Sequence, residues 1–127
     1  ALAGPVANFI TAFALQVAVI LMLTATRFSG VWANVPMVLT EAVYINAGLG
    51  FFNLVPLPPL DGSRILEAYL PYSARNIWYE IQRYSFVILA ALLFLGVIQA
   101  VMLPLITTFI SIAQKVGITL SLLIFRL

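Results

Sequence analysis

One carboxylate in this chain sits where a carboxylate is expensive. Asp61 closes the run Asn53-Leu54-Val55-Pro56-Leu57-Pro58-Pro59-Leu60-Asp61-Gly62, at the end of a membrane-length apolar stretch, in a chain with no histidine and only four acidic residues. An ionisable group near a bilayer marks a functional site by default, because holding charge there is costly. On an ion or proton path it would belong to a transporter. The blander reading is a turn, since Pro-Leu-Asp-Gly is good turn chemistry and Asp caps helices. Asn53 brings an amide to the start of the run. With Asn46 and Gly50 it shares a helix face, so it can also be interhelical glue.

The rest of the composition fixes the setting. Of 127 residues, 64% are hydrophobic and 8% charged, and the mean hydropathy is +1.14. A soluble domain carries about 25% charge, so this chain cannot cover a water-facing surface. It reads as an integral, multi-pass membrane protein folded as one helical domain. The net charge of +2 is scattered between apolar segments, which is no nucleic-acid footprint. Without cysteine there is neither a disulfide framework nor a thiolate metal site. The opening Ala1-Leu2-Ala3 has no initiator Met and no basic flank, and the chain is expected to begin inside a larger or processed gene product.

The elements that must position Asp61 follow from hydropathy and proline placement. Apolar stretches predict spans at 5–26, 35–57, 85–103 and, less securely because of Lys115, 105–125. Asn8, Ala12 and Gln16 recur at four-residue spacing and line one face of the first span. Ser29-Gly30 marks a turn, and Trp32 suits the interfacial belt. In the second stretch, Pro56, Pro58 and Pro59 lack N–H groups and disfavour helix before them. This predicts an extended, proline-broken segment near Pro56–Asp61 that lines a cavity. A short helix follows, capped by Ser63 or Asp61 and stopped by Pro71, and Ser73 is placed to cap the next. Tyr69, Tyr72, Trp78, Tyr79 and Tyr84 are expected at headgroup level. The third and fourth spans should part at Pro104. Arg64, Arg75 and Arg83 put the Gly62–Arg83 connector on the cytoplasmic side of what is expected to be the cell membrane. Two antiparallel spans then bring Gly4–Asn8 and Asn53–Asp61 to one membrane level.

Asn53 to Gly62 resembles the N-x-x-P-x-P-x-L-D-G motif of the site-2 protease family of intramembrane zinc metalloproteases. Gly4-Pro5-Val6-Ala7-Asn8 resembles that family's G-P-x-x-N element, and Gly62-Ser63-Arg64-Ile65-Leu66 looks like its short microbial members. The resemblance implies a polytopic all-α fold and a zinc metalloendopeptidase that cuts a transmembrane or membrane-proximal peptide. It makes Asp61 a zinc ligand and Asn53 a catalytic or substrate-binding residue, with Gly4, Pro5, Asn8, Pro56, Pro58 and Gly62 in support. Family members take their other two ligands and the general base from H-E-x-x-H on an earlier helix. This chain has no histidine, so the resemblance implies an N-terminal portion carrying that helix, one zinc shared with it, and no activity from this chain alone. Two rivals stay open: a non-catalytic relative that keeps the fold as a membrane subunit, and the transporter fragment.

Overall fold

In the computed structural model, residues 2–25 and 30–125 are described. Among them there are five α-helices and no strand: α1 (Ala3–Ala25), α2 (Val35–Asn53), α3 (Asp61–Tyr69), α4 (Arg75–Phe94) and α5 (Val97–Ile124). Short 3-10 turns at Gly30–Asn34 and Tyr72–Ala74 precede α2 and α4. Residues 26–29, and with them the Ser29-Gly30 turn and Arg27, lie outside the described residues. Four helices (α1, α2, α4 and α5) are long and apolar enough to cross a membrane, and the chain is an integral, multi-pass membrane protein.

Helices α1, α2 and α5 form the bundle. α1 packs most closely on α2 and next on α5, whereas α4 meets chiefly α5. Ala12, Val43, Ala47 and Ile110 make the buried core, with Leu15, Ile106 and Phe109 against it. Phe9, Phe51 and Phe109, one from each helix, pack edge to face or tilted with centroids 4.7, 5.4 and 6.2 Å apart. The face expected from Asn8, Ala12 and Gln16 turns inward: Ala12 and Gln16 are buried and Asn8 half-buried. Outward-facing Ile10, Met37, Ile45 and Leu103 are exposed. Such side chains suit lipid, where apolar contact costs nothing.

Helix ends follow proline and glycine. Pro5 and Pro36 sit in the first turns of α1 and α2, where an N–H has no intrahelical partner to lose. α3 stops at Leu70, which is extended ahead of Pro71. The break expected at Pro104 is at Leu95-Gly96 instead. Gly96 adopts φ +74°, a left-handed conformation that reverses the chain at little cost only for glycine. Gln99 Nε2 donates to Leu93 O across this turn at 3.1 Å. Pro104 lies inside α5, and nearby hydroxyls of Thr107 and Thr108 donate to Leu103 O and Pro104 O. The helices therefore cover 75–94 and 97–124, not 85–103 and 105–125. Of the aromatic residues expected at headgroup level, Trp78 is covered by protein, 4% exposed, while Tyr69, Tyr72, Tyr79 and Tyr84 are exposed.

Candidate functional site

The site is built where α2 runs out of hydrogen-bond donors. Its last turn tightens, with Leu54 N donating to Phe51 O and Val55 N to Phe52 O. Pro56, Pro58 and Pro59 then offer no N–H. The two donors left between them are used locally, Leu57 N to Val55 O at 2.8 Å and Leu60 N to Leu57 O at 2.9 Å. The second of these closes a four-residue turn over a cis Pro58-Pro59 bond, the geometry of a type VI turn. Residues 54–60 are therefore non-helical, as proline content requires. They are folded into tight turns rather than drawn out as a strand, because each remaining N–H finds a carbonyl two or three residues back.

This compaction returns the chain to α2. Leu60 is extended (φ −75°, ψ 153°) and α3 starts at Asp61. Neither Asp61 nor Ser63 caps α3: Ser63 N and Oγ both donate to Leu60 O, at 3.1 and 2.7 Å. Ser73 does not cap α4, because it sits inside the 3-10 turn and α4 has no side-chain cap. Gly62 is buried with no room beside it. A methyl group there would meet the Leu54 carbonyl and lie 2.6 Å from Val55 O. Only glycine lets the start of α3 rest on the end of α2.

Asp61 is half-buried, in the first turn of α3, where unpaired N–H groups favour a negative side chain. Its neighbour is the start of α1. A methyl group on Gly4 would lie 3.1 Å from Asp61 Oδ2. Pro5, the next residue, is among the largest fully buried side chains. The two stretches singled out by spacing thus meet at one end of the bundle. Asn8 and Asn53 are half-buried at that end, and among the described residues neither side chain makes a hydrogen bond. Asn46, by contrast, is satisfied within α2 by Ala42 O at 2.8 Å. Pro56 is exposed and Pro58 half-buried.

Residues 22–98 match the sequence profile of Peptidase family M50. The chain belongs to this family, that of the site-2 proteases. It is also 33% identical over 103 residues to YwhC of Bacillus subtilis (strain 168), named as a candidate zinc metalloprotease. That similarity covers 72% of this chain and 42% of YwhC, so the chain spans about two fifths of the length of the curated relative it matches. No solved structure matches it. The family match includes the proline run and Asp61 but not Gly4–Asn8, which the structure brings beside Asp61.

Family M50 membership implies zinc. Among the described residues no three His, Cys, Asp or Glu side chains come together as a metal site. The chain holds no His or Cys. Zinc in metalloproteases takes three protein ligands and keeps a fourth position open. One carboxylate fits a share in such a site and does not complete one. Two features of this end were not legible from spacing: the mutual packing of Phe9, Phe51 and Phe109, and Gly4 as the direct neighbour of Asp61. Aromatic residues recur throughout apolar helices, so nothing marked these three.

Proposed function

We propose that this chain supplies one ligand of a zinc metalloendopeptidase that cleaves peptide bonds within or near the membrane. Asp61 is the third protein ligand of a single zinc, and the other ligands and the general base come from an H-E-x-x-H helix outside these 127 residues. When bound, zinc supplies a water acidic enough (pKa about 7) to be a nucleophile at neutral pH. The chain's own residues do the rest by position. Gly4 and Gly62 let Asp61 sit against the ends of α1 and α2. Asn53, its amide without a partner, is free to hold the backbone of an unwound substrate. Pro56 and Pro58 keep the segment between them out of helix. This chain alone is inactive. The end of the bundle holding Asp61 faces the cytoplasm in the cell membrane, in line with the arginines of residues 62–83.

The observation carrying this reading is the contact of Gly4 with Asp61 Oδ2, which joins both motif stretches at one carboxylate. It is tested in the full-length protein with two variants and two readouts. Asp61→Ala should lose bound zinc and cleavage of a membrane-spanning reporter together. Asn53→Ala should keep zinc while cleavage falls. Full zinc content in Asp61→Ala would overturn the ligand assignment, and zinc loss in Asn53→Ala would make that residue structural.

A further inference from the structure

A buried donor in the first turns of α4 lacks an acceptor. Trp78 is 4% exposed, and its indole Nε1, covered by protein, finds no hydrogen-bond partner among the described residues. Covered N–H groups are nearly always paired with protein, water or a bound group, so an orphan marks a place where something else belongs. Trp78 stands in the wall of a cavity of about 140 Å³. The chain makes this cavity by folding back: Glu67 and Leu70 line it from the end of α3, and Arg75, Trp78 and Tyr79 from the start of α4. One water needs about 10–15 Å³ of such space, so a much larger group has room here.

The charges in the wall are unused as well. Glu67 and Arg75 are exposed, and neither makes an ion pair among the described residues. Arg75 lies over the Tyr72 ring at 5.5 Å, a contact that orients the guanidinium and leaves its N–H groups free to donate. A second cavity, of about 370 Å³, shares Arg75 and Tyr79 and adds the Ser73 hydroxyl and the Asn76 amide. Donors outnumber acceptors, yet one carboxylate stands among them. A group that satisfies this cleft carries an anion for Arg75 and Trp78 and a cation for Glu67. The depth of the cleft follows from its neighbours. α3 and the Tyr72–Ala74 turn join helices long enough to cross a membrane. Tyr69 and Tyr72 are 84% and 85% exposed, as suits rings at headgroup level. Further along α4, Phe86 and Val87 are exposed and apolar.

We propose that this cleft between α3 and α4 binds the headgroup of a zwitterionic phospholipid with a primary ammonium, of the phosphatidylethanolamine class. The phosphate accepts from Arg75 and supplies the acceptor that Trp78 Nε1 lacks. The ammonium donates to Glu67, and the acyl chains run along the exposed apolar side of α4. A choline headgroup has no N–H for Glu67, and an anionic headgroup sets a second negative charge near it, so both fit less well. The bound lipid ties α3 to α4. α3 packs little on the other helices and begins with Asp61, so an occupied cleft steadies the helix that carries the acid.

Lipid binding to the full-length protein, stripped of lipid in detergent, tests this. Short-chain phosphatidylethanolamine is compared with phosphatidylglycerol, phosphatidylcholine and inorganic phosphate. Phosphatidylethanolamine is expected to bind tightest and to raise the melting temperature, and free phosphate to do neither. Arg75→Gln and Glu67→Gln should each weaken that binding about tenfold, the usual worth of one hydrogen bond to a charged group. Trp78→Phe should weaken it too, and the two exposed residues keep the test valid if that variant fails to fold. Arg83→Gln is the control, being exposed on α4 but outside both cavities. Glu67→Gln should also erase the preference over phosphatidylglycerol. Equal binding of phosphatidylglycerol by the unaltered protein, or an equal loss in Arg83→Gln, would mean diffuse attraction and overturn the proposal. Binding of free phosphate as tight as that of lipid would replace the lipid with a soluble anion. No binding of phosphatidylethanolamine at all would leave water as the partner of Trp78 and refute the site.

Discussion

Adding one methyl group to Gly4 separates zinc affinity from fold stability. In Gly4→Ala the new carbon would lie 3.1 Å from Asp61 Oδ2. Comfortable contact begins near 3.5 Å, so the carboxylate must retreat by about 0.3–0.4 Å. Zinc–carboxylate bonds are about 2.0–2.2 Å long, and sites tolerate departures of about 0.2 Å. The retreat exceeds that margin, and changes beside a ligand cost about 10–100-fold in metal affinity. A side-chain end can partly adjust, so the expected loss is about tenfold, or 1.4 kcal/mol. Stability should not follow. Gly4 lies in α1, where alanine is the better helix former by up to about 1 kcal/mol. Metal-free full-length protein in detergent should therefore melt at the same temperature or higher, while competition with a chelator shows weaker zinc. Gly48→Ala is the control, because its methyl would lie an ordinary 3.8 Å from Ile106 Cδ1. Unchanged zinc affinity in Gly4→Ala, or an equal loss in Gly48→Ala, would refute the reasoning.

Gly62→Ala should behave differently, since its methyl meets the Leu54 and Val55 carbonyls, which are main chain and cannot step aside. Overpacking of this kind costs about 3 kcal/mol or more, so thermal unfolding in detergent should drop sharply whether or not zinc is present. Phe109→Ala removes two of the three ring pairs that join α1, α2 and α5. In lipid the loss is packing rather than hydrophobic transfer, and at about 0.5–1.5 kcal/mol per pair it should destabilise by about 1–3 kcal/mol in a denaturant titration, with zinc affinity retained because the Phe9–Phe51 pair still joins α1 to α2.

Local chemistry was legible where one residue decides the backbone. Three prolines in residues 56–59 dictate the end of α2, and an uncharged apolar run dictates α1, expected at 5–26 and found at Ala3–Ala25. That Gly4–Asn8 and Asn53–Asp61 share one end of the bundle followed from antiparallel spans; the direct approach of Gly4 to Asp61 did not. The second hairpin was not legible, because two residues competed to break it. Pro104 only removes one N–H, which a helix beside threonine hydroxyls tolerates. Gly96 turns the chain, and its neighbours are as apolar as those of any span. The burial of Trp78 was hidden for a related reason. A tryptophan at headgroup level and one covered by a short helix have the same flanking residues, and only the fold-back of α3 distinguishes them.

The way the site is held follows from what lipid withholds. Helices in a bilayer gain nothing from hydrophobic transfer when they meet, so close packing must supply the attraction. Glycine supplies it at the Asp61 end: Gly50 receives the ring of Phe9, Gly62 receives the end of α2, and Gly4 receives the carboxylate. All three contacts bring α1, α2 and α3 together within two helical turns of Asp61. Ordering the acid and docking α1 on α2 are therefore one event rather than two. A side chain carried by tight turns on a free helix end would sample many positions, and each would weaken a zinc bond of fixed length. Seated between two glycines it has few. Loosening of the α1–α2 contact by a variant far from the acid, such as at Ala47 in the buried core, should accordingly reach zinc affinity through the same contacts.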